Sequence, residues 1–392
     1  MTNRLYYDDA YLRVFEGTVA AVRPDGWIAL DRSAFYPTSG GQPFDTGVIA
    51  WEAGEARVKD VEVTDGVVWH RTDAPLPVGA PVRGRVDWER RWDHMQQHAG
   101  DHMLAGAAWQ LFGGVTIGLH VGQEASSIDL EMPGGRTRLT PEETETLEDL
   151  VNRRVQQDDP IRCWFPSEEE LRFLPLRKRP TVTEHVRVVA MGDYEMVACG
   201  GTHPATTGQI GPVRVLSTAP SRGNMRLTFL AGMRAARDYR RSARCADAVA
   251  AALSSGVADA PQALAREREQ QADFRRDMSK RLTQAALCLI RAGRQGSVYA
   301  AHVPFADQGT LLQAASELTR DPSAIALLSC PRKEGRSLVF ARGAAAKVDM
   351  SALLRQSGAR GGGKPDMAQG SAPEDGTALD NALRALASQP LP

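Results

Sequence analysis

At 392 residues the chain can hold two or three domains, and its 42 % apolar and 24 % charged content is that of an ordinary globular protein in water. A formal charge of −1 excludes a global field that would gather nucleic acid, so any contact with RNA must come from local basic patches. No run approaches the roughly 18 apolar residues of a membrane span, the opening "MTNRLYYDDAYLRVFEG" lacks an apolar signal core, and five unpatterned cysteines suit a reducing cytoplasm, the expected location.

Residues 1–86 read as β-rich. "YLRVFEGTVAAV", "GWIAL", "TGVIAW", "ARVKDVEV", "GVVWHR" and "PVRGRV" are short, rich in Val and Ile, and punctuated by Gly, Pro or Asp. Their spacing predicts a small barrel or curved antiparallel sheet. At Asp87 the pattern changes to a helix, "DWERRWDHMQQHAGDHMLAGAAWQLFGG", with Asp87 as N-cap and Gly113–Gly114 as its stop. A second helix opens at Thr140-Pro141-Glu142-Glu143, with Pro in its first turn and a Thr…Glu capping box. "HVRVVAM" and "IGPVRVLS" read as strands on either side of "ACGGTH". The unit 87–239 is therefore expected to be α+β. Two charged helices, turning at 254–261, fill a linker over 240–296, and 297–392 is expected as a small α/β domain with strands "SVYAAHV", "AIALLS" and "SLVFARG".

The chemistry concentrates in two short segments. In "ACGGTH", Cys199 and His203 are four apart, and the intervening Gly200 and Gly201 disfavour helix and favour a tight turn. In "HAGDH", His98 and His102 stand at i and i+4 on one helix face. Together they form a Cys/His₃ set suited to zinc. His94, one turn earlier, competes with His102 as the second helical ligand. Asp101 lies on the same helix and is expected to face solvent. Cys163, Cys245, Cys288 and Cys330 read as core or surface thiols.

Two look-alikes fail on chemistry. A zinc-protease helix needs Glu after its first His as general base; here Ala99 stands there. "GARGGGK" is followed by Pro365, which offers neither a hydroxyl for magnesium nor a backbone N–H, so it is no P-loop. In "AFYPTSGGQPFDTG", Gly40, Gly41 and Gln42 fit either a hairpin loop or a close backbone approach to a ligand.

These elements, in this order, resemble the alanyl-tRNA editing family, the free-standing relatives of the alanyl-tRNA synthetase editing domain. "FYPTSGGQPFDTG" resembles its glycine-rich motif, "HMQQHAGDHMLAGA" its H-x₃-H helix, and "VRVVAMGDYEMVACGGTHPATTGQIGPVRVL" its C-x₃-H segment. "GNMRLTFLAGMRA" resembles the closing strand and turn, and the tail with "GARGGGKPDMAQG" the DHHA1 domain of the long form. The resemblance selects His98, His102, Cys199 and His203 as ligands of one zinc and leaves His94 outside. Ser39, Ala99, Glu195 and Pro204 depart from the usual residues, which bears on the shape of the amino-acid pocket.

The resemblance implies a trans-acting deacylase that hydrolyses mischarged alanine-accepting tRNA, carrying serine first and glycine second. A pocket built for alanine rejects an added hydroxyl poorly, which gives such an enzyme its use. Backbone N–H groups at Gly40, Gly41, Gly200 and Gly201 are expected to stabilise the oxyanion, with Gln42 and Thr202 contacting the amino acid. The tRNA is expected on Arg177, Lys178 and Arg179, and on the helical series Arg234, Arg237, Arg240, Arg241 and Arg244. The tail is expected to aid tRNA binding or to form a homodimer. Other readings are an editor of another mischarged tRNA, a non-catalytic zinc-containing RNA-binding protein and, last, a peptidase.

Overall fold

Six strands close into an antiparallel barrel: β1 (Val14–Val22), β2 (Trp27–Leu30), β3 (Gly47–Trp51), β4 (Gly54–Thr64), β5 (Val67–Thr72) and β6 (Pro81–Val86), in the order β1-β2-β5-β4-β3-β6. The computed structural model describes residues 1–180 and 185–388. Four of the six strands lie within the stretches expected from sequence; β4 overruns its stretch, 56–63, at both ends, and β5 runs one residue past its own, 66–71. Alternation puts Phe15, Ile28, Leu30, Ile49, Val61 and Val68 inside. In β4 the period breaks once. A register shift between Val58 and Asp60 turns Val61, rather than residue 60, into the core after Ala56 and Val58.

Helix α1 (Trp88–Phe112) follows and stops at Gly113, whose φ of 69° is left-handed. Asp87 occupies the N-cap position, but its side chain caps nothing; its carboxylate accepts the Thr46 hydroxyl at 3.2 Å. The helix is buried on nearly every side from His94 to Ala108. It packs against a four-stranded antiparallel sheet, ordered β12-β13-β8-β7, formed by β7 (Val115–His120), β8 (Ser126–Glu131), β12 (Val213–Ser221) and β13 (Asn224–Ala231). Gly100 permits this approach, since a Cβ there would sit 2.8 Å from that of Ala231. Polar groups on the helix are matched in place. The Gln97 side chain donates to Ala231 O at 2.9 Å and accepts from Ala231 N at 3.0 Å. Helix α2 (Pro141–Gln156) has the expected capping box at Thr140 and Glu143, and adds Leu147 and Val151 to this core. A three-stranded sheet of β9 (Ile161–Trp164), β10 (Val188–Met191) and β11 (Glu195–Ala198) carries the chain to the ACGGTH turn.

Barrel and helix are locked by one buried ion pair. Arg91 and Asp45 have side chains with no exposure. Arg91 Nε donates to the Asp45 carboxylate at 2.9 and 3.1 Å, Nη1 to Ala10 O at 2.8 Å, and Nη2 to Ala34 O at 2.5 Å. Asp45 also accepts Tyr36 N–H at 2.6 Å, so both charges are satisfied.

The chain divides into two compact units, Met1–Ala246 and Asp247–Pro392. Helix α3 (Gly232–Ala252) and helix α4 (Ala260–Ala292) are separated near the expected turn. In the second unit a six-stranded mixed sheet runs β14-β15-β16-β17-β19-β18, from β14 (Arg294–Gln295), β15 (Val298–His302), β16 (Ile325–Pro331), β17 (Arg336–Arg342), β18 (Arg360–Gly363) and β19 (Met367–Ala372). Only β15 and β16 pair in parallel. "GARGGGK" supplies β18, an edge strand after helix Met350–Gln356, not a phosphate loop between strand and helix. Residues 389–392 of the expected tail domain, and 181–184 of the expected editing subdomain, lie outside the described residues. Among the described residues no helix is long and apolar enough to cross a membrane.

Candidate functional site

His98 and His102 project from the middle of α1, one turn apart, and their rings stack at 5.1 Å and 14°. Cys199 and His203 reach them from the turn after β11. His203 lies 4.8 Å from the His98 ring and 5.1 Å from the His102 ring. Cys199 Sγ stands 3.2 Å from His98 Nε2 and 3.4 Å from His203 Nε2, and one ligand atom from each of the four residues lies within 4.8 Å of all the others. Ligand atoms around a tetrahedral zinc sit roughly 3.3–3.6 Å apart, from its bond lengths.

The polar accounting points the same way. His102 Nε2, His203 Nδ1 and Asp101 Oδ1 are buried here without a hydrogen-bond partner, as is His94 Nδ1 one turn before the cluster. Burial lowers the His98 pKa to about 3 and drives His102 and His203 well below the usual histidine value, so all three rings are neutral and able to ligate. Burial pushes the Cys199 thiol up to about 12, so an incoming cation must displace its proton. The donor set fits zinc. His94 does not join it: that ring lines a separate cavity of about 1020 Å³ with Arg90, Arg234 and Arg237.

Gln42 and Gly201 set the geometry of the ligands, a role the sequence reading missed. Gln42 Nε2 donates to Thr202 Oγ1 at 2.8 Å, and Gln42 Oε1 accepts Thr202 N–H at 3.2 Å. That fixes the amide, so His98 Nδ1 must donate to Oε1, 2.8 Å away, leaving Nε2 free for a cation. Gln42 and Thr202 are fully buried. Both were expected to contact the amino acid; here they bond to each other, and Gln42 to His98. Gly201 N–H donates to Cys199 Sγ at 3.3 Å, which takes it from the expected oxyanion role, and a Cβ at 201 would fall 2.2 Å from the His98 ring. Gly41 likewise leaves no room: a Cβ there would meet Leu119 O at 2.5 Å. Arg187 Nη1 ties the turn down, donating to Cys199 O at 3.1 Å and Gly201 O at 2.8 Å.

The cluster opens into a cavity of about 830 Å³, whose wall includes Gly40, Gly200 and Asp101. Asp101 is buried, not solvent-facing as expected. Burial raises its carboxyl pKa to about 8 against the opposing pull of Arg177. Arg177 was expected on tRNA. It is instead held by Glu195, its Nε donating to the carboxylate at 2.8 and 2.9 Å. Lys178 and Arg179 are exposed at the same cavity. On α3, Arg234 is paired with Asp93 and donates to Gly122 O at 2.7 Å; Arg237, Arg240, Arg241 and Arg244 are exposed, Arg241 being paired with Asp238.

Comparison with known protein families matches residues 13–90 to tRNA synthetases class II (A), residues 186–227 to the threonyl and alanyl tRNA synthetase second additional domain, and residues 295–389 to the DHHA1 domain. The alanine–tRNA ligase of Pyrobaculum neutrophilum is 33 % identical over 98 % of this chain and 44 % of its own length. That of Pyrococcus abyssi is 32 % identical over 94 % and 42 %. The chain thus spans less than half the length of these relatives. Among solved structures, the C-Ala domain of Aquifex aeolicus alanyl-tRNA synthetase matches 23 % of this chain and 86 % of that one, at 19 % identity and a TM-score of 0.21.

Proposed function

From its membership of the alanyl-tRNA synthetase-related editing family, we propose that this chain is an aminoacyl-tRNA deacylase that clears alanine-accepting tRNA of a wrong amino acid, serine before glycine, and acts in trans. The observation that carries this reading is the buried Cys/His₃ cluster at the wall of a cavity large enough for an aminoacyl end. His98, His102, Cys199 and His203 would hold one zinc. When bound, the ion supplies positive charge that orients the aminoacyl group and polarises its ester.

The remaining work falls to the chain itself. Gly40 and Gly200, on the cavity wall, bring backbone close to the substrate without side chains. Asp101 is the only acid among the described residues lining the cavity, and its Oδ1 has no partner. It is assigned the proton transfer to the departing ribose oxygen. Arg237 and Arg240 offer exposed charge for phosphates, and Arg241 does so beside its partner Asp238. The chemistry is assigned to residues before 240, and tRNA selection or self-association to the linker 240–296 and the tail 297–392.

The test is to incubate purified protein with alanine-accepting tRNA carrying serine, glycine or alanine, and to follow loss of each ester. Serine should be released about 10²-fold or more faster than alanine, if a buried polar group must be paired by its hydroxyl. Equal rates, or none, would refute the reading. Asp101→Asn should retain zinc and lose about 10²-fold or more in kcat.

A further inference from the structure

The cavity beside the cluster, about 830 Å³, falls among pockets that take whole drug-sized ligands, about 300–1,000 Å³. One aminoacyl group leaves most of it empty. Its lip is aromatic. Tyr7, on the short helical turn Leu5–Asp8, and Phe165, just after β9, meet edge to face with centroids 5.6 Å apart at 73°. Phe165 is 50 % exposed, unusual for a phenylalanine that has a cavity to enter. Tyr7 is close to the cluster: a Cβ on Gly200, the residue after Cys199, would lie 3.4 Å from its hydroxyl. Arg187 sits over the Tyr7 ring at 5.1 Å, which steadies that wall.

The charge of the lining selects the occupant. Arg4, Lys178, Arg179 and Arg187 line the cavity against the single acid Asp101, among the described residues, and Arg177 beside them is neutralised by Glu195. An apolar peptide would gain nothing from that excess of cations. A single-stranded RNA end would, since it pairs a flat base with flanking phosphates.

We propose that Tyr7 and Phe165 form a clamp for the terminal nucleobase of the RNA 3′ end, the base stacking on the exposed Phe165 ring that the Tyr7 edge braces, with Lys178 and Arg179 taking the phosphates behind it. The proposal rests on the deacylase reading for the identity of the RNA and adds the part of the substrate that is gripped. The clamp would set the distance from the base to the cluster, so that the ester arrives in register.

Full-length, zinc-loaded protein is titrated by fluorescence anisotropy with a microhelix of alanine-accepting tRNA ending in a non-hydrolysable seryl amide, and with the same RNA lacking its terminal base. Removing the base should weaken binding to the wild type by at least about fivefold, the lower range of base–aromatic stacking. In Phe165→Ala the two RNAs should bind alike, and Phe165→Trp should restore the difference. A full difference in Phe165→Ala, or none in the wild type, overturns the clamp. A wild type that discriminates the two RNAs yet leaves seryl esters intact would sink the deacylase reading and keep the clamp; one that hydrolyses the ester but binds both RNAs alike would do the reverse.

Discussion

His70 and the histidines of the cluster are equally buried, and they differ in what they are given. In the barrel, His70 has a partner for each nitrogen: Ser33 Oγ lies 2.8 Å from Nε2 and Ile28 O lies 3.3 Å from Nδ1. In the cluster, His102 Nε2 and His203 Nδ1 have none, and three rings crowd one thiol. A buried polar atom without a partner costs about 1–3 kcal/mol. One such atom is a local expense, but several around a common point describe a missing ligand. The contrast separates a histidine that completes a core from histidines that await a cation.

The sharpest way to break this contrast is to remove the cation. Elemental analysis should give about one zinc per wild-type chain and little or none for Cys199→Ala, while His70→Leu and His94→Ala keep theirs. Equal zinc in wild type and Cys199→Ala would take Cys199 out of the site. Chelation should lower the melting temperature of the wild type, since free zinc at 1,000 times its Kd stabilises by about 4 kcal/mol. Uptake near neutral pH should release about one proton per ion, from Cys199, because the rings already lack theirs.

A smaller effect probes the support behind one ligand. Gln42→Ala removes the acceptor that holds the His98 Nδ1 proton, and should weaken zinc affinity about 10- to 100-fold without abolishing binding. Competition with a chelator of known affinity measures it; an unchanged affinity would mean that His98 needs no such orientation.

The smallest effect belongs to the satisfied histidine. Burial lowers the His70 pKa to about 4 from its ordinary 6.5. Between those values the unfolded chain binds a proton that the folded chain refuses. His70 therefore contributes stability fully above pH 6.5 and loses it as pH falls toward 4. In His70→Leu the slope of unfolding free energy against pH in that window should fall by up to one proton, at most about 1.4 kcal/mol per pH unit. Denaturant titrations at pH 7, 6 and 5 read the slope; identical slopes would mean that His70 takes up its proton in the fold as readily as in the unfolded chain.

The barrel strands were legible because Val and Ile recur between Gly, Pro and Asp, and the Thr140 capping box because its four residues are contiguous. Cys199 and His203 carried a local signal, as did His98 and His102; the resemblance joined the halves. What stayed hidden depends on contacts across the chain. Gln42 finds His98 across 56 positions and Thr202 across 160. The burial of Asp101 was missed for a related reason. A charged residue on a helix ordinarily faces water, but α1 is enclosed on nearly all sides, a property of its neighbours more than of its own pattern. Arg177 reads as part of a basic run until Glu195 folds back against it.

The Arg91–Asp45 lock reaches beyond the bonds it makes. Neither side chain has any exposure, and the pair joins the segment before β3 to helix α1. A cut between barrel and helix would leave Asp45 on one piece and Arg91 on the other, each a bare charge on a surface shaped to be covered. Breaking such a pair costs about 3–5 kcal/mol, a large share of what holds a domain together. The barrel and the helix that carries His98 and His102 can therefore be transplanted into another protein only as a single cassette, and a graft whose border falls between residues 45 and 91 should aggregate.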